Sequence, residues 1–218
     1  MEYPGGMRNI TCPVLLWVLL LAPALYAGAA PAPAASASSA ADDLVDVSKL
    51  DPTIVLQIRY ATADNFLHRA VYERPMCMLR RSVADRLVRV QAALRSRDLR
   101  LKVWDAYRPH SVQRKMWKVK PDARFVAPPY KGSKHSRGAA VDVTLIDRDG
   151  RELDMGTVHD DFSAKAAPES PDVPETARTN RRLLRDAMAV EGFKQLSSEW
   201  WHFDAPGGDA YPIMDVPF

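Results

Sequence analysis

Cysteine is almost absent from this chain of 218 residues, which has only Cys12 and Cys77. A disulfide framework is thereby excluded. Charge of one sign is also missing. The 30 Lys and Arg are interspersed with 27 Asp and Glu, for a net charge of +3. The densest basic clusters, Arg80-Arg81 and Arg181-Arg182, are only pairs. A nucleic-acid-binding surface has no support in this composition. No apolar run reaches the roughly 20 residues that span a bilayer. Histidine is scarce: His68, His110, His135, His159 and His202 are the whole supply.

The longest apolar run, Val14 to Tyr26, follows a short segment with Arg8 as its one basic residue. Ala27-Gly28-Ala29 then offers the small residues a signal peptidase requires. Residues 1–29 read as a signal peptide and 30–41 as a flexible Ala/Pro/Ser linker. Cys12 precedes the apolar run, so it cannot be a lipoprotein anchor placed after it. The expected protein is exported to the periplasm or cell envelope, with no stable membrane insertion after cleavage. Cys77, in the apolar stretch Pro75-Met76-Cys77-Met78-Leu79, reads as a buried inert thiol.

Residues 42–218 are long enough for one core. Ile54 to Tyr60 and Leu99 to Trp104 alternate like strands. Ser82 is a candidate cap for a helix that puts Val83, Leu87, Val90 and Leu94 on one face. Pro109 suits the first turn of a helix reaching Val119. Lys120 to Gly132 reads as loop. Ala139 to Ile146 reads as a buried strand, followed by a turn at Asp147 to Gly150 and Glu152-Leu153 beyond it. Ala164 to Pro174 reads as a Pro-rich loop placed to cover a cleft. Glu175 to Glu191 reads as a helix stopped by Gly192, and Trp200 to Asp204 as a final strand. Without regular strand–helix alternation, the expected class is α+β: a single domain with a central, mainly antiparallel sheet flanked by helices.

The chemistry concentrates in two stretches. In Ser133 to Asp142, His135 precedes a strand and Asp142 lies inside it, with Gly138 between them to let the chain bend back. Asp142 is out of place in an apolar strand, because a buried carboxylate needs a partner, and a metal ion is a good one. In Glu199-Trp200-Trp201-His202, the acid and the imidazole are three apart. On a flat strand they would face opposite sides, so Glu199 must sit at a turn or bulge to share a site with His202. Trp200 and Trp201 read as core packing. Two imidazoles, one carboxylate and a spare carboxylate suit a catalytic zinc with an open position for water. Arg108, at a strand end, is either an oxyanion-stabilising fork or a structural partner of Asp105.

These stretches resemble the zinc D-alanyl-D-alanine dipeptidases of the VanX type. The pattern S-x-H-x-x-G-x-A-x-D is met by Ser133, His135, Gly138, Ala140 and Asp142. E-x-x-H is met by Glu199 and His202, and D-x-Y-R-P by Asp105 to Pro109. Arg59 to Phe66 resembles the Y-A-T-x-D-N-F block. Met155-Gly156 with Asp160 resembles M-G-x-x-x-D. Where the family usually has a glycine soon after N-F, this chain has Leu67-His68. The likeness spans about residues 50 to 215. It implies one Zn2+ per chain held by His135, Asp142 and His202 in a cleft. It further implies Glu199 as general base and then acid, and Arg108 on the oxyanion. Asp160 would bind the substrate's ammonium, with Ser133 and Tyr60 lining a small pocket. The substrate implied is a small dipeptide, D-Ala-D-Ala, met in cell-wall turnover or salvage.

Two other functions compete. A D,D-carboxypeptidase acting on longer wall peptides is disfavoured by Asp160, because an ammonium-binding carboxylate in a closed pocket rejects N-terminally extended substrates. A non-catalytic zinc-stabilised wall-binding module is disfavoured by Glu199, because it needs no base.

Overall fold

The computed structural model describes residues 43–218. The proposed signal peptide and linker lie outside the described residues. A five-stranded sheet in the order β2-β4-β5-β7-β6 is the frame of the described chain. Its strands are β2 (Val55–Leu56), β4 (Arg100–Asp105), β5 (Ala140–Ile146), β6 (Lys194–Gln195) and β7 (His202–Asp204). Only β2 and β4 run parallel; the other three pairings are antiparallel. A separate antiparallel pair joins β1 (Leu44–Asp46) to β3 (Met78–Arg80). Among the described residues three α-helices accompany the strands: α1 (Arg81–Arg95), α2 (His110–Val119) and α3 (Glu175–Val190). The expected α+β class, with its mainly antiparallel sheet and flanking helices, is the observed one.

Strand β5 is buried along its whole length. Val141, Val143 and Leu145 belong to the main apolar core, together with Leu87, Val90 and Leu94 of α1 and Leu184 and Met188 of α3. Helices α1 and α3 touch each other, and contact β4 and β5 respectively. Side chains alternate across a strand, so Asp142 and Thr144 face away from that layer. The cleft forms on their side of the sheet.

Several boundaries differ from expectation. Strand β2 covers only Val55–Leu56, and a 3-10 turn at Arg59–Ala61 follows it. That turn takes Tyr60 out of the alternation and aims it at the cleft. Helix α1 begins at Arg81 with Arg80 at its cap, so Ser82 is not the cap. The Ser82 hydroxyl pairs instead with that of Tyr211 at 2.8 Å. After the Asp147–Gly150 turn only a single bridge forms, between Ile146 and Glu152. The last strand begins at His202, not Trp200. Trp200 and Trp201 are 0% and 1% exposed, core residues as expected. Cys77 is fully buried, and burial pushes its thiol far above the ordinary range. Among the described residues no helix is long and apolar enough to cross a membrane.

Candidate active site

Strand register builds the centre of the site. Asp105 on β4 stands opposite Asp142 on β5, and Asp142 stands opposite His202 on β7. Three neighbouring strands therefore present these residues in one row. A register shift between Val103 and Asp105 accompanies the break in β4's alternation, where Val103, Trp104 and Asp105 are all buried. Such a bulge re-aims side chains.

His135 reaches the row from a short 3-10 turn, His135–Arg137, ended by Gly138 at φ +67°. A Cβ at Gly138 would lie 2.6 Å from Leu44 Cδ2 and 3.3 Å from the Arg80 nitrogen. The backbone bend anticipated for this glycine is present, and space there excludes a side chain as well.

The result is a triangle of donor atoms. His135 Nε2 lies 3.1 Å from His202 Nδ1 and 3.3 Å from Asp142 Oδ1, and His202 Nδ1 lies 3.1 Å from Asp142 Oδ1. A tetrahedral ion with bonds of about 2.0–2.1 Å sets its ligands about 3.3 Å apart. The outer nitrogens explain why a cation suits this place. His135 Nδ1 is 2.6 Å from the Ala106 carbonyl, which can only accept. His202 Nε2 is 2.9 Å from Asp204 Oδ1. With protons committed to those acceptors, neutral rings point two lone pairs and a carboxylate oxygen at one spot. Without a cation, a proton takes that place. Burial alone would lower His202, but its bonds to Asp142 and Asp204 outweigh burial and lift it to about 10. Asp142 is likewise held well below the usual carboxylate range: burial opposes this, and the charge and bonds of the histidines overcome it.

Glu199 sits in the turn before β7, where the three-residue spacing required it. Its Oε2 is 3.9 Å from His202 Nδ1. It is 5% exposed and has no side-chain hydrogen bond among the described residues. Burial, with Asp142 and Asp160 nearby, raises it to about 8.

The two readings of Arg108 prove compatible. Its Nε and Nη2 donate to Asp105 Oδ2 at 3.0 and 2.6 Å, and Nη1 donates to Gln113 Oε1 at 2.8 Å. Of five N–H donors, two are left for the cleft, which Arg108 lines beside Asp142. Asp105 is saturated in turn by Tyr72 Oη at 2.7 Å and the Ala106 amide at 2.9 Å.

At the other end of the cleft, the Tyr60 hydroxyl shares its proton between both oxygens of Asp160, 3.0 Å each. Burial and the neighbouring Asp160 keep that hydroxyl protonated. Asp160 has φ +61°, a conformation rare outside glycine and often found at functional sites. Burial raises its carboxyl above the ordinary range. Ser133 lines the cleft and accepts the His135 amide at 3.2 Å. All eight residues singled out in the sequence thus line one cleft of 190 Å³.

A family model described as D-ala-D-ala dipeptidase, of the M15 peptidases, matches residues 40–216. The chain belongs to this metallopeptidase family. It is similar to the D-alanyl-D-alanine dipeptidase of Escherichia coli, 37% identical over 176 residues, covering 81% of this chain and 91% of that one. The corresponding enzyme of Streptomyces coelicolor is 33% identical, covering 80% and 98%. Among solved structures, the vancomycin-resistance D,D-dipeptidase VanXYg in complex with a D-Ala-D-Ala phosphinate analogue is 18% identical. Its TM-score is 0.37, over 77% of this chain and 69% of that one.

Sequence reasoning missed three supports of this M15 site: Tyr72, Gln113 and Asp204. Asp204, two residues after His202, was open to discovery, because alternate strand residues share a face. Tyr72 and Gln113 act through long-range packing and carry no local signal.

Proposed function

We propose that this protein hydrolyses free D-Ala-D-Ala to two D-alanines, with one zinc ion per chain held by His135, Asp142 and His202. The observation that carries the metal assignment is the convergence of two committed imidazoles and Asp142 Oδ1 within hydrogen-bond distance of one another. Zinc, when bound, supplies the Lewis acidity that makes water nucleophilic near neutral pH and polarises a carbonyl.

The protein supplies the rest. Glu199 carries no side-chain hydrogen bond among the described residues, so its carboxylate is free to take the attacking water's proton. It then returns that proton to the leaving amine nitrogen, which departs as the second D-alanine. The two spare N–H groups of Arg108 face the carbonyl oxygen as negative charge develops. Asp105 and Gln113 fix the fork beforehand, so little reorganisation is needed. Asp160 receives the substrate's ammonium, with Tyr60 and Ser133 walling the pocket.

Asp160 also decides between dipeptide and longer peptide. Its side chain is 14% exposed, and an N-acyl group there removes the positive charge and adds bulk. The stranded carboxylate costs about 2–5 kcal/mol by analogy with broken charge pairs, a selectivity of tens-fold or more. Purified protein should therefore cleave D-Ala-D-Ala at least tens-fold faster, in kcat/KM, than its N-acetyl form. Equal rates would favour the carboxypeptidase reading.

The leader at 1–29 and linker at 30–41 support export to the periplasm or cell envelope, where wall turnover or dipeptide salvage supplies this substrate. Mass spectrometry of the protein from its native cell should show an N-terminus near Ala30. An intact leader in a cytosolic fraction would refute export.

A further inference from the structure

His159 has no role in the chemistry described above, and the family pattern M-G-x-x-x-D leaves its position free. It is nonetheless placed with care. Its side chain is 0% exposed. The ring is held against Trp104 at 4.9 Å, Trp201 at 5.4 Å and Tyr60 at 6.1 Å between centroids. Its Nε2 lies 3.4 Å from Asp142 Oδ2, and its Nδ1 lies 3.5 Å from Asp160 Oδ2 with no hydrogen-bond partner among the described residues. Consecutive residues on an extended chain face opposite ways. The left-handed turn at Asp160 accompanies the convergence here of two adjacent side chains.

The two oxygens of Asp142 are treated differently. Oδ1 belongs to the donor triangle. Among the described residues Oδ2 has one hydrogen-bond donor, His159; Arg108 Nη2 stands at 4.0 Å. A carboxylate free to rotate about its last bond can offer one oxygen or both to a cation. A ring wedged among three aromatics and bonded to Oδ2 removes that freedom. An apolar ring would fill the same space without leaving a buried nitrogen unpaired, so packing alone does not account for an imidazole here.

We propose that His159 is a positioning residue: it holds Asp142 Oδ2 so that the carboxylate meets the metal through Oδ1, and metal affinity depends on that bond. The claim rests on the metal-site reading above, yet its test needs no substrate turnover. Zinc affinity of the full chain is measured by competition with a chromophoric chelator for wild type, His159→Phe, His159→Gln and His159→Asn. Glutamine can place an amide N–H near the position of Nε2, whereas asparagine is too short to reach Oδ2. Partners that orient metal ligands typically contribute about 10–100-fold in affinity. The expected result is a loss of that size in Phe and Asn, with Gln within a few-fold of wild type. The Gln–Asn contrast decides the matter even if Phe fails to fold, since both amides burden the core alike. Equal affinity in Gln and Asn, or a Phe variant within about twofold of wild type, would overturn the proposal. If wild type binds zinc but leaves D-Ala-D-Ala intact, the substrate reading fails and the His159 result stands on its own.

Discussion

Glu199, the proposed base, sits where its charge works against the fold. It is a carboxyl shut away from water with no side-chain hydrogen bond among the described residues, and burial, outweighing the charge of His202, lifts it to about 8. A raised carboxyl opposes folding as pH climbs from its unfolded value of about 4.3 through the folded one, because the native state must give up a proton it holds. Glu199→Gln keeps the shape and removes that burden. Turnover should fall by about 10²–10⁴-fold, the usual worth of a positioned base, while zinc content stays full and the melting temperature holds or rises. Loss of zinc together with rate would make Glu199 a ligand. A melting point several degrees lower would mean that it supports the fold instead. Arg108 is the opposite case: Asp105 and Gln113 satisfy it, so its position is secured by the same bonds that leave two of its donors free.

At the scale of elements, legibility in the sequence followed length and period. Strand β5 was readable nearly to the residue, because seven consecutive positions are buried. Helix α3 showed an apolar face and a glycine stop; Gly192 has φ +82°. Helix α2 begins at His110, with Pro109 at its cap and not inside its first turn. Strands β1, β3 and β6 were not seen: two or three residues show no period, and their pairing is decided by partners far along the chain. The bulge at Trp104 was visible only as a lapse in alternation. His68, just after the Asn65-Phe66 pair, has φ +53°, a conformation that glycine favours. Gly138 makes the element-scale argument testable. Alanine there meets both a positive φ and Leu44 at 2.6 Å, whereas at Gly150 (φ +84°) a Cβ meets nothing within 4 Å. Gly138→Ala should destabilise by about 1–3 kcal/mol and weaken zinc binding through His135. Gly150→Ala should cost only its backbone strain and leave zinc affinity intact. Indistinguishable melting curves and metal affinities for the two variants would remove the crowding argument.

For the molecule as a whole, the proposed metal would compete with a proton for one place, which ties stability to pH in a definite direction. His202 at about 10 and Glu199 at about 8 both lie above their unfolded values of about 6.5 and 4.3. Protons on these groups therefore support the metal-free fold at low pH. For Glu199 that support declines above about pH 4.3 and is gone past 8. For His202 it is complete below about pH 6.5 and gone past 10. A cation in the triangle displaces the His202 proton and favours the charged form of Glu199, so metal binding releases protons. Two consequences follow from the same sign. Zinc affinity of the apoprotein should rise with pH between 6 and 9, and calorimetry at pH 7.5 in buffers of different ionisation enthalpy should register net proton release. The melting-temperature gap between zinc-loaded and metal-free protein should widen over that range, because the free form loses its protons while the loaded form has already given them up. A gap that narrows with rising pH, or binding without proton release, would mean that the cation does not occupy the place between His135, Asp142 and His202.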